Sequence, residues 1–329
     1  MLTPSFEQKL TTYTDIYSQL KTAFKWKMGD PKTLMMIASM YVINEKPFDL
    51  RRFESLSDYI KEQVGAFNTL KSSYRYTTAA MLDVRFENSE EKFHRLLEVY
   101  EKMVAGKFSR GASTYIAAQV MLEQIENGRM EDIERVMQVY KGMSSNHFFL
   151  TSSTDYPLAV LLAEREGTVN DLMKQIEYFY KCLNQQGFAK GNDLQFLSHI
   201  LSLGDENKAD ALIEQCTKVA DAFRTQWKKP KGMHYPLTGL LALLKEGEKE
   251  VATVLKAADR LSDEKHFKWH KDMNILMAAN FLLSEKMHDT TLLGAGIFAA
   301  IEAIMQAQQA AAIAAIAATT AASSSSAGS

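Results

Sequence analysis

The feature that most constrains the fold is an aromatic residue that recurs about every 40 residues, each time ahead of a turn and an apolar segment. The central members follow at steps of 40, 40, 39 and 40 residues: Phe108, Phe148, Phe188, Trp227 and Phe267. Phe67 and Phe24 continue the series upstream, with steps of 41 and 43 residues. A fixed period of this length is typical of stacked supersecondary units, none of which can bury its apolar face alone.

The two ends of the series also match each other in sequence. Phe24-Lys25-Trp26-Lys27 is followed by a segment rich in Leu and Met, and so is Phe267-Lys268-Trp269-His270, 243 positions further on. Because the match falls on the period, it indicates a repeated structural unit rather than a chance tetrapeptide.

Apolar residues at three- and four-residue spacing between the aromatic positions predict amphipathic helices. Pro157 and Pro236 each follow a tyrosine at the same repeat position. Because proline is tolerated only in the first turn of a helix, these prolines predict helices that start near 155 and 234. No segment alternates apolar and polar residues for long, so little or no strand is expected. We therefore predict an all-α superhelical array (solenoid) of about seven antiparallel helix hairpins of ~40 residues, with a C-terminal Ala-rich helix.

This pattern predicts four segments: an N-terminal helix over 1–23, a helical-repeat domain over 24–284, the Ala-rich helix over 285–320 and a disordered Ser-rich tail over 321–329. Each recurring aromatic is expected to be wedged between neighbouring hairpins. The Ala-rich helix carries isoleucines at helical spacing and is expected to pack on the last hairpin. Self-association through the same apolar stripe is the alternative.

Composition excludes several classes of function. The net charge is −2 and the pI about 6.4, so no strongly basic field attracts nucleic acid. Cys182 and Cys216 form no CxxC pair and are typical of reduced thiols in a cytoplasmic protein. Neither a signal peptide nor an apolar run long enough for a membrane span is present, which favours a cytoplasmic location without membrane insertion.

No catalytic or cofactor motif of known mechanism occurs in the sequence. HExxH, the P-loop pattern, GxSxG and CxxC are absent, so we predict no metal site and no cofactor. Gly294-Ala295-Gly296, with Ala299 three positions on, formally fits a dinucleotide-binding pattern. It follows no predicted strand, and a pyrophosphate site needs a strand, a turn and a helix together.

Polar residues at the starts of predicted helices are the candidates for a site, because equivalent positions of a solenoid align along one edge. An acid–base site could draw on four of them: Asp155, His199, His234 and Asp272. Helix capping is the competing interpretation for the acids and amides, and a hydrogen-bonded core position for His199.

Five further residues are candidates for binding: Asn192, Asp193, His270, Arg110 and Lys190. Basic residues recur near the turns and could form a ladder for RNA with interleaved aromatic residues. The balanced overall charge argues against nucleic acid and favours a solvated edge.

Several stretches resemble a known family. They are His147-Phe148-Phe149-Leu150-Thr151-Ser152-Ser153, the segment from Lys190 to His199, the segment from His266 to Asp272, and the Ala-rich tail with its serine cluster. Together they resemble a family of uncharacterised bacterial proteins from Gram-positive spore formers, over essentially the whole chain. The resemblance implies a cytoplasmic bacterial protein and supplies no active site.

Two functional hypotheses follow. The first is a non-catalytic scaffold of helical repeats that binds a protein or peptide, since repeat surfaces commonly bind extended partners. The second is an enzyme whose Asp and His side chains converge at the edge where the predicted helices start. Convergence of those side chains in one pocket would favour the enzyme, and their dispersal along an edge would favour the scaffold.

Overall fold

The structure is a computed structural model that describes residues 2–25, 27–28, 30–146, 149–204 and 208–287. All regular secondary structure in these ranges is helical, which confirms the all-α prediction. The predicted Ala-rich helix lies outside the described residues except for its first three positions, and so does the predicted tail over 321–329. Residues 285–287 instead complete the last described helix.

Fourteen α-helices lie in the described part of the chain, with short 3-10 turns ahead of some of them. Their bounds are α1 Pro4–Ala23, α2 Pro31–Ile43, α3 Leu50–Gln63, α4 Tyr74–Arg85, α5 Ser89–Ala105, α6 Ala112–Glu126, α7 Ile133–Asn146, α8 Tyr156–Ala163, α9 Val169–Gln185, α10 Asn192–Leu201, α11 Ala209–Gln226, α12 Tyr235–Ala242, α13 Gly247–Ser262 and α14 Lys271–Met287.

The chain divides into two compact units, each built from separated segments. Unit 1 contains the described residues of Met1–Leu10, Gln138–Ser152 and Leu161–Gln308. Unit 2 contains the described residues of Thr11–Met137 and Ser153–Val160.

Within each unit, helices contact both their neighbour in sequence and the helix after it. In unit 2, α4 contacts α2 and α6, and α3 contacts α5. In unit 1, α12 contacts α10 and α14, and α11 contacts α9 and α13. Even-numbered and odd-numbered helices therefore each contact members of their own set.

The two sets also differ in burial. Every residue from Leu34 to Val42 of α2 is buried, and so is every residue from Thr114 to Leu122 of α6. The odd-numbered α5 is amphipathic instead, and its buried residues recur at three- and four-residue spacing: Phe93, Leu96, Val99, Tyr100 and Met103. The even-numbered helices are thus enclosed on all sides, whereas α5 packs through one face.

Local sequence signals set the starts of α2 and α3. The carboxylate of Asp30 accepts a hydrogen bond from the Lys32 N–H at 3.0 Å, and Pro31 occupies the first turn of α2. Asp49 accepts from the Arg52 N–H at 2.9 Å and starts α3 in the same way. Both side chains satisfy backbone donors that have no partner within the helix.

One turn geometry occurs twice, 80 residues apart. Gly111 precedes α6 with φ 148° and ψ −172°, and Gly191 precedes α10 with φ 139° and ψ −171°. The Gly111 N–H donates to the Tyr100 hydroxyl at 3.3 Å, and the Gly191 N–H donates to the Tyr180 hydroxyl at 3.2 Å. Positive φ at both positions favours glycine, because it has no Cβ.

The same two turns carry matching aromatic pairs. The rings of Phe108 and Tyr156 lie 4.8 Å apart at 76°, and those of Phe188 and Tyr235 lie 5.0 Å apart at 68°. The hydroxyl of Tyr235 also accepts from the Ala189 N–H at 2.8 Å. Each turn is therefore held to the start of the next even-numbered helix by a ring contact.

The prediction that every recurring aromatic is buried is correct at four positions and wrong at two. Phe24, Phe108, Phe188 and Phe267 are buried, whereas Phe67 is fully exposed and Trp227 is partly exposed. Phe148 lies outside the described residues. Phe67 is exposed because a 3-10 turn over Thr69–Lys71 places Leu70 in the core instead.

The start of the chain packs within unit 1 against the last described helix. The Lys9 Nζ donates to the Ser284 Oγ at 2.9 Å, and the Thr3 hydroxyl donates to the Glu285 carboxylate at 3.0 Å. Phe6 is 1% exposed, so the first turns of α1 contribute to the core.

Candidate functional site

Six of the nine candidate residues lie in the loops that precede α10, α12 and α14 of unit 1 or in the first turns of those helices. His234 ends the loop before α12, and Asp272 lies in the first turn of α14. Their side chains meet, with 3.2 Å between the His234 Nε2 and the Asp272 Oδ1. Two of the four predicted catalytic residues therefore lie together.

Both ring nitrogens of His234 are engaged in hydrogen bonds. The Nδ1 accepts from the Lys231 N–H at 3.0 Å, so in the neutral ring the proton lies on Nε2 and is donated to Asp272. The His234 side chain is only 4% exposed, and its ring packs edge-on against Trp227 with 5.3 Å between centroids. These contacts determine the tautomer and the orientation of the ring.

The charge state of His234 follows from its surroundings. Burial is the largest cause and lowers the pKa of His234 below its ordinary value, whereas Asp272 acts in the opposite direction. Lys228 and Lys231 lower the pKa further. The neutral imidazole is thus the form that this environment favours.

Asp193 is a third polar residue beside this pair. It is exposed overall, but its carboxylate packs against Gly232, where a Cβ would overlap it. Partial burial raises the pKa of Asp193, and His234 opposes that shift. A side chain at position 232 would therefore clash with Asp193. Asp193 also lies close enough to His234 for the two groups to interact electrostatically.

The other two catalytic candidates, His199 and Asp155, lie in the interior of a helix and in a 3-10 turn. His199 is 1% exposed within α10, which fits the predicted core position. Asp155 belongs to unit 2, at the end of the 3-10 turn over Ser153–Asp155 that precedes α8.

The binding candidates lie near helix starts but in different settings. Arg110, in unit 2, forms a two-pronged pair with Glu101 at 2.9 Å for each bond. Lys190 is exposed, and the backbone N–H of His270 donates to the Phe267 carbonyl at 2.9 Å. The N-cap of α10 is Gly191, so the competing interpretation of Asn192 and Asp193 as N-cap residues does not hold for this helix.

Sequence reasoning missed the exposed apolar residues of these loops. Trp269 is 84% exposed and Met233 is 54% exposed, although each stands within three residues of the His234–Asp272 pair. The sequence did contain one signal for this region, namely that the charged residues are distributed unequally between the two sets of loops. The seven loops that precede even-numbered helices contain eleven Lys or Arg and four Asp or Glu. The six loops that follow even-numbered helices contain five Lys or Arg and ten Asp or Glu.

A separate buried charge lies in unit 2. Asp83 accepts hydrogen bonds from the Arg52 Nε at 2.8 Å, the Arg52 Nη2 at 3.1 Å and the Tyr41 hydroxyl at 2.7 Å. The Asp83 side chain is 4% exposed, so these donors compensate for its lost hydration. Burial, and then Asp83, raises the pKa of Tyr41, which keeps that hydroxyl protonated as a donor.

Two further features are absent from the described part of the chain. No group of three or more His, Cys, Asp and Glu residues there could hold a metal ion. No helix among the same residues is both long and apolar enough to cross a membrane.

Fold and site together define an all-α protein with polar and aromatic loops at the starts of its buried helices. The chain belongs to the family described as "Protein of unknown function (DUF4003)", whose profile matches residues 16–310. It is 40% identical over 310 residues to a protein of Bacillus subtilis (strain 168) named "Uncharacterized protein YeaA", and the match covers 94% of each chain. No solved structure matches significantly.

Proposed function

We propose that this protein is a non-catalytic helical-repeat protein that binds a protein or peptide partner through the loops that precede its even-numbered helices. The observation that carries the proposal is the turn geometry at Gly111 and Gly191. Glycine dihedral angles, tyrosine hydrogen bonds and aromatic pairs recur there 80 residues apart, which is twice the sequence period. Two copies of one turn support a superhelical array of hairpins.

The contacts within each unit support the same architecture. In a stacked array, each hairpin touches only its neighbours, so helices one and two places apart in sequence are in contact. Both units have this pattern, with α4 between α2 and α6 and α12 between α10 and α14. Arrays of this kind present repeated loops at a constant spacing, which suits an extended partner better than a small molecule.

Catalysis by the His234–Asp272 pair is the alternative that the geometry favours less. A general base needs a free lone pair directed at the substrate. The Nδ1 lone pair of His234 is occupied by the Lys231 N–H, and the Nε2 proton is donated to Asp272. We therefore infer that the pair fastens the loop before α12 to the first turn of α14.

The cysteines support a cytoplasmic location for this proposed function. Cys182 and Cys216 are both free thiols, and Cys216 is buried. Burial raises the pKa of the Cys216 thiol, so it is unreactive at neutral pH. Free thiols of this kind are typical of proteins in a reducing compartment.

The test is affinity capture with the full chain as bait, followed by reconstitution of the interaction from purified components. We expect one protein partner at a defined stoichiometry, and elemental analysis of the bait is expected to find no stoichiometric metal. The proposal is overturned if no purified partner binds and the protein instead turns over a small molecule in a reaction that is lost in His234→Gln and Asp272→Asn.

A further inference from the structure

We propose that the surface formed by Met233, Trp269 and the neighbouring lysines binds an acidic linear peptide segment that also carries apolar side chains. We call it the Trp269 surface; its lysines are Lys228, Lys229, Lys231, Lys268 and Lys271. This inference rests on the proposed function and adds the chemistry of the partner.

The apolar part of the Trp269 surface is exposed next to the His234–Asp272 pair. Trp269 and Met233 stand on adjacent loops, because Met233 precedes His234 and Trp269 lies three residues before Asp272. The hydrogen bond between the buried His234 ring and Asp272 joins the loop before α12 to the start of α14. An exposed tryptophan and an exposed methionine on two joined segments are typical of a binding hot spot, since an indole buries a large area at small entropic cost.

The charge around these side chains is positive. Lys228, Lys229, Lys231, Lys268 and Lys271 are all exposed. The Lys228 Nζ lies 3.7 Å from the Trp227 ring centroid and 3.9 Å from the Asp272 Oδ1. Two carboxylates lie beside this surface: Asp272, which already accepts a hydrogen bond from His234, and Asp193, which packs against Gly232. The five lysines outnumber these two carboxylates, so the surface attracts a negatively charged partner.

An acidic peptide fits this surface better than nucleic acid. Met233 supplies an aliphatic contact that suits apolar side chains, whereas a strand of bases requires a row of aromatic faces. A peptide with a few carboxylates around one or two apolar anchors matches both features of the surface.

The test measures fluorescence anisotropy of a labelled peptide, Glu-Glu-Phe-Glu-Glu-Leu-Glu-Glu, with the full-length protein. We expect saturable binding that weakens when salt is raised from about 50 to 500 mM, because screening shortens the reach of the lysine charges. The same peptide with Lys in place of every Glu is expected not to bind. Binding is also expected to shift the tryptophan emission to shorter wavelength, and Trp269→Phe should abolish that shift.

Variants locate the site and control for net charge. We expect Lys229→Glu with Lys231→Glu, and separately Trp269→Ala, to weaken binding at least tenfold, as for hot-spot residues. The control, Lys181→Glu with Lys218→Glu, makes the same charge change at exposed positions of α9 and α11 and should leave affinity within about twofold. Circular dichroism confirms that each variant is folded.

Four results would overturn the inference. Equal losses in the control variant would mean unspecific attraction, and tighter binding of an oligouridylate that displaces the peptide would identify a nucleic-acid surface. Concentration-dependent dimers in sedimentation, dissociated by Lys229→Glu with Lys231→Glu, would identify a second copy of the chain as the occupant. A captured protein partner that binds the lysine variants normally would refute this inference and leave the proposed function standing.

Discussion

His234 shows how burial at the residue scale produces a pH dependence. Its folded-state pKa is lowered, so the unfolded chain takes up a proton at a higher pH than the folded protein does. The contribution of His234 to stability is therefore fully present above the unfolded pKa of about 6.5 and is lost as the pH falls through the folded pKa. The pKa of Asp193 is raised, so its contribution to stability changes with pH in the opposite direction, in the acidic range where carboxylates titrate.

We predict that the melting temperature falls as the pH is lowered from 7.5 to 5.5, and that His234→Gln reduces this fall because it removes the proton uptake. Thermal unfolding followed by circular dichroism at several pH values measures the effect. His94→Gln is the control, since His94 is exposed on α5. An identical pH profile for His234→Gln and the wild type would contradict the prediction.

The buried Asp83 is expected to be far more sensitive to substitution than an exposed carboxylate. Asp83→Ala should reduce the free energy of unfolding by about 2–3 kcal/mol, because it leaves the buried Tyr41 hydroxyl without its acceptor. Glu101→Ala breaks an arginine pair that is exposed on both sides and should cost about 0–1 kcal/mol. Urea unfolding compares the two, and equal losses would refute the assigned role of burial.

At the element scale, the starts of the even-numbered helices depend on particular turns. The loop before α6 needs positive φ at Gly111, and the loop before α10 needs it at Gly191. No atom would approach a Cβ at either glycine, so the requirement is conformational rather than steric.

We predict that Gly111→Ala and Gly191→Ala each destabilise the protein by about 1–2 kcal/mol, because an alanine Cβ strains this backbone. Gly65→Ala is the matched control: its Cβ also meets no atom, but its φ is not positive. It should be neutral or slightly stabilising, since alanine restricts the unfolded chain. Equilibrium urea denaturation of the three variants provides the measurement.

The recurring aromatic residues supply a second comparison. Phe188 is 5% exposed and contacts Tyr235, so Phe188→Ala should cost about 3–5 kcal/mol. Phe67 occupies an equivalent sequence position but is fully exposed, and Phe67→Ala should stay within about 0.5 kcal/mol. Similar losses for both variants in thermal and urea unfolding would argue against the described position of Phe67.

At the scale of the whole molecule, unit 1 joins segments from both ends of the described chain. The side chains of Lys9 and Thr3 donate hydrogen bonds to residues of α14 that are 275 and 282 positions away in sequence. The start of α1 thus contributes to the same compact unit as the last described helix.

We predict that Phe6→Ala increases hydrogen exchange of backbone amides in Lys271–Met287, because it removes a buried ring from the unit that contains α14. Phe149→Ala changes an exposed side chain of the same unit and should leave that exchange unaltered. Mass spectrometry of exchanged peptides measures both. Unchanged protection of α14 in Phe6→Ala would contradict the prediction.

Local chemistry determined much of the secondary structure before any tertiary contact was known. Asp30-Pro31 and Asp49 set the starts of α2 and α3, and the Tyr-Pro pairs set those of α8 and α12. These signals act within one helical turn, so they can be read from neighbouring residues. The sequence identified His234 and Asp272 only as two members of a candidate set, because both stand at helix starts about one period apart. It did not indicate that these two would form a pair.

Tertiary structure alone decided which members of a repeated set are buried and how the site is charged. Phe67 and Phe188 occupy equivalent positions of the sequence repeat, but Phe188 is buried and Phe67 is exposed. Near Phe67, the buried residue is Leu70 instead. The tautomer of His234 depends on the backbone of Lys231, and the exposure of Trp269 depends on what packs around its loop. Burial and hydrogen-bond partners are properties of residues brought together from distant parts of the chain, so a periodic pattern cannot specify them.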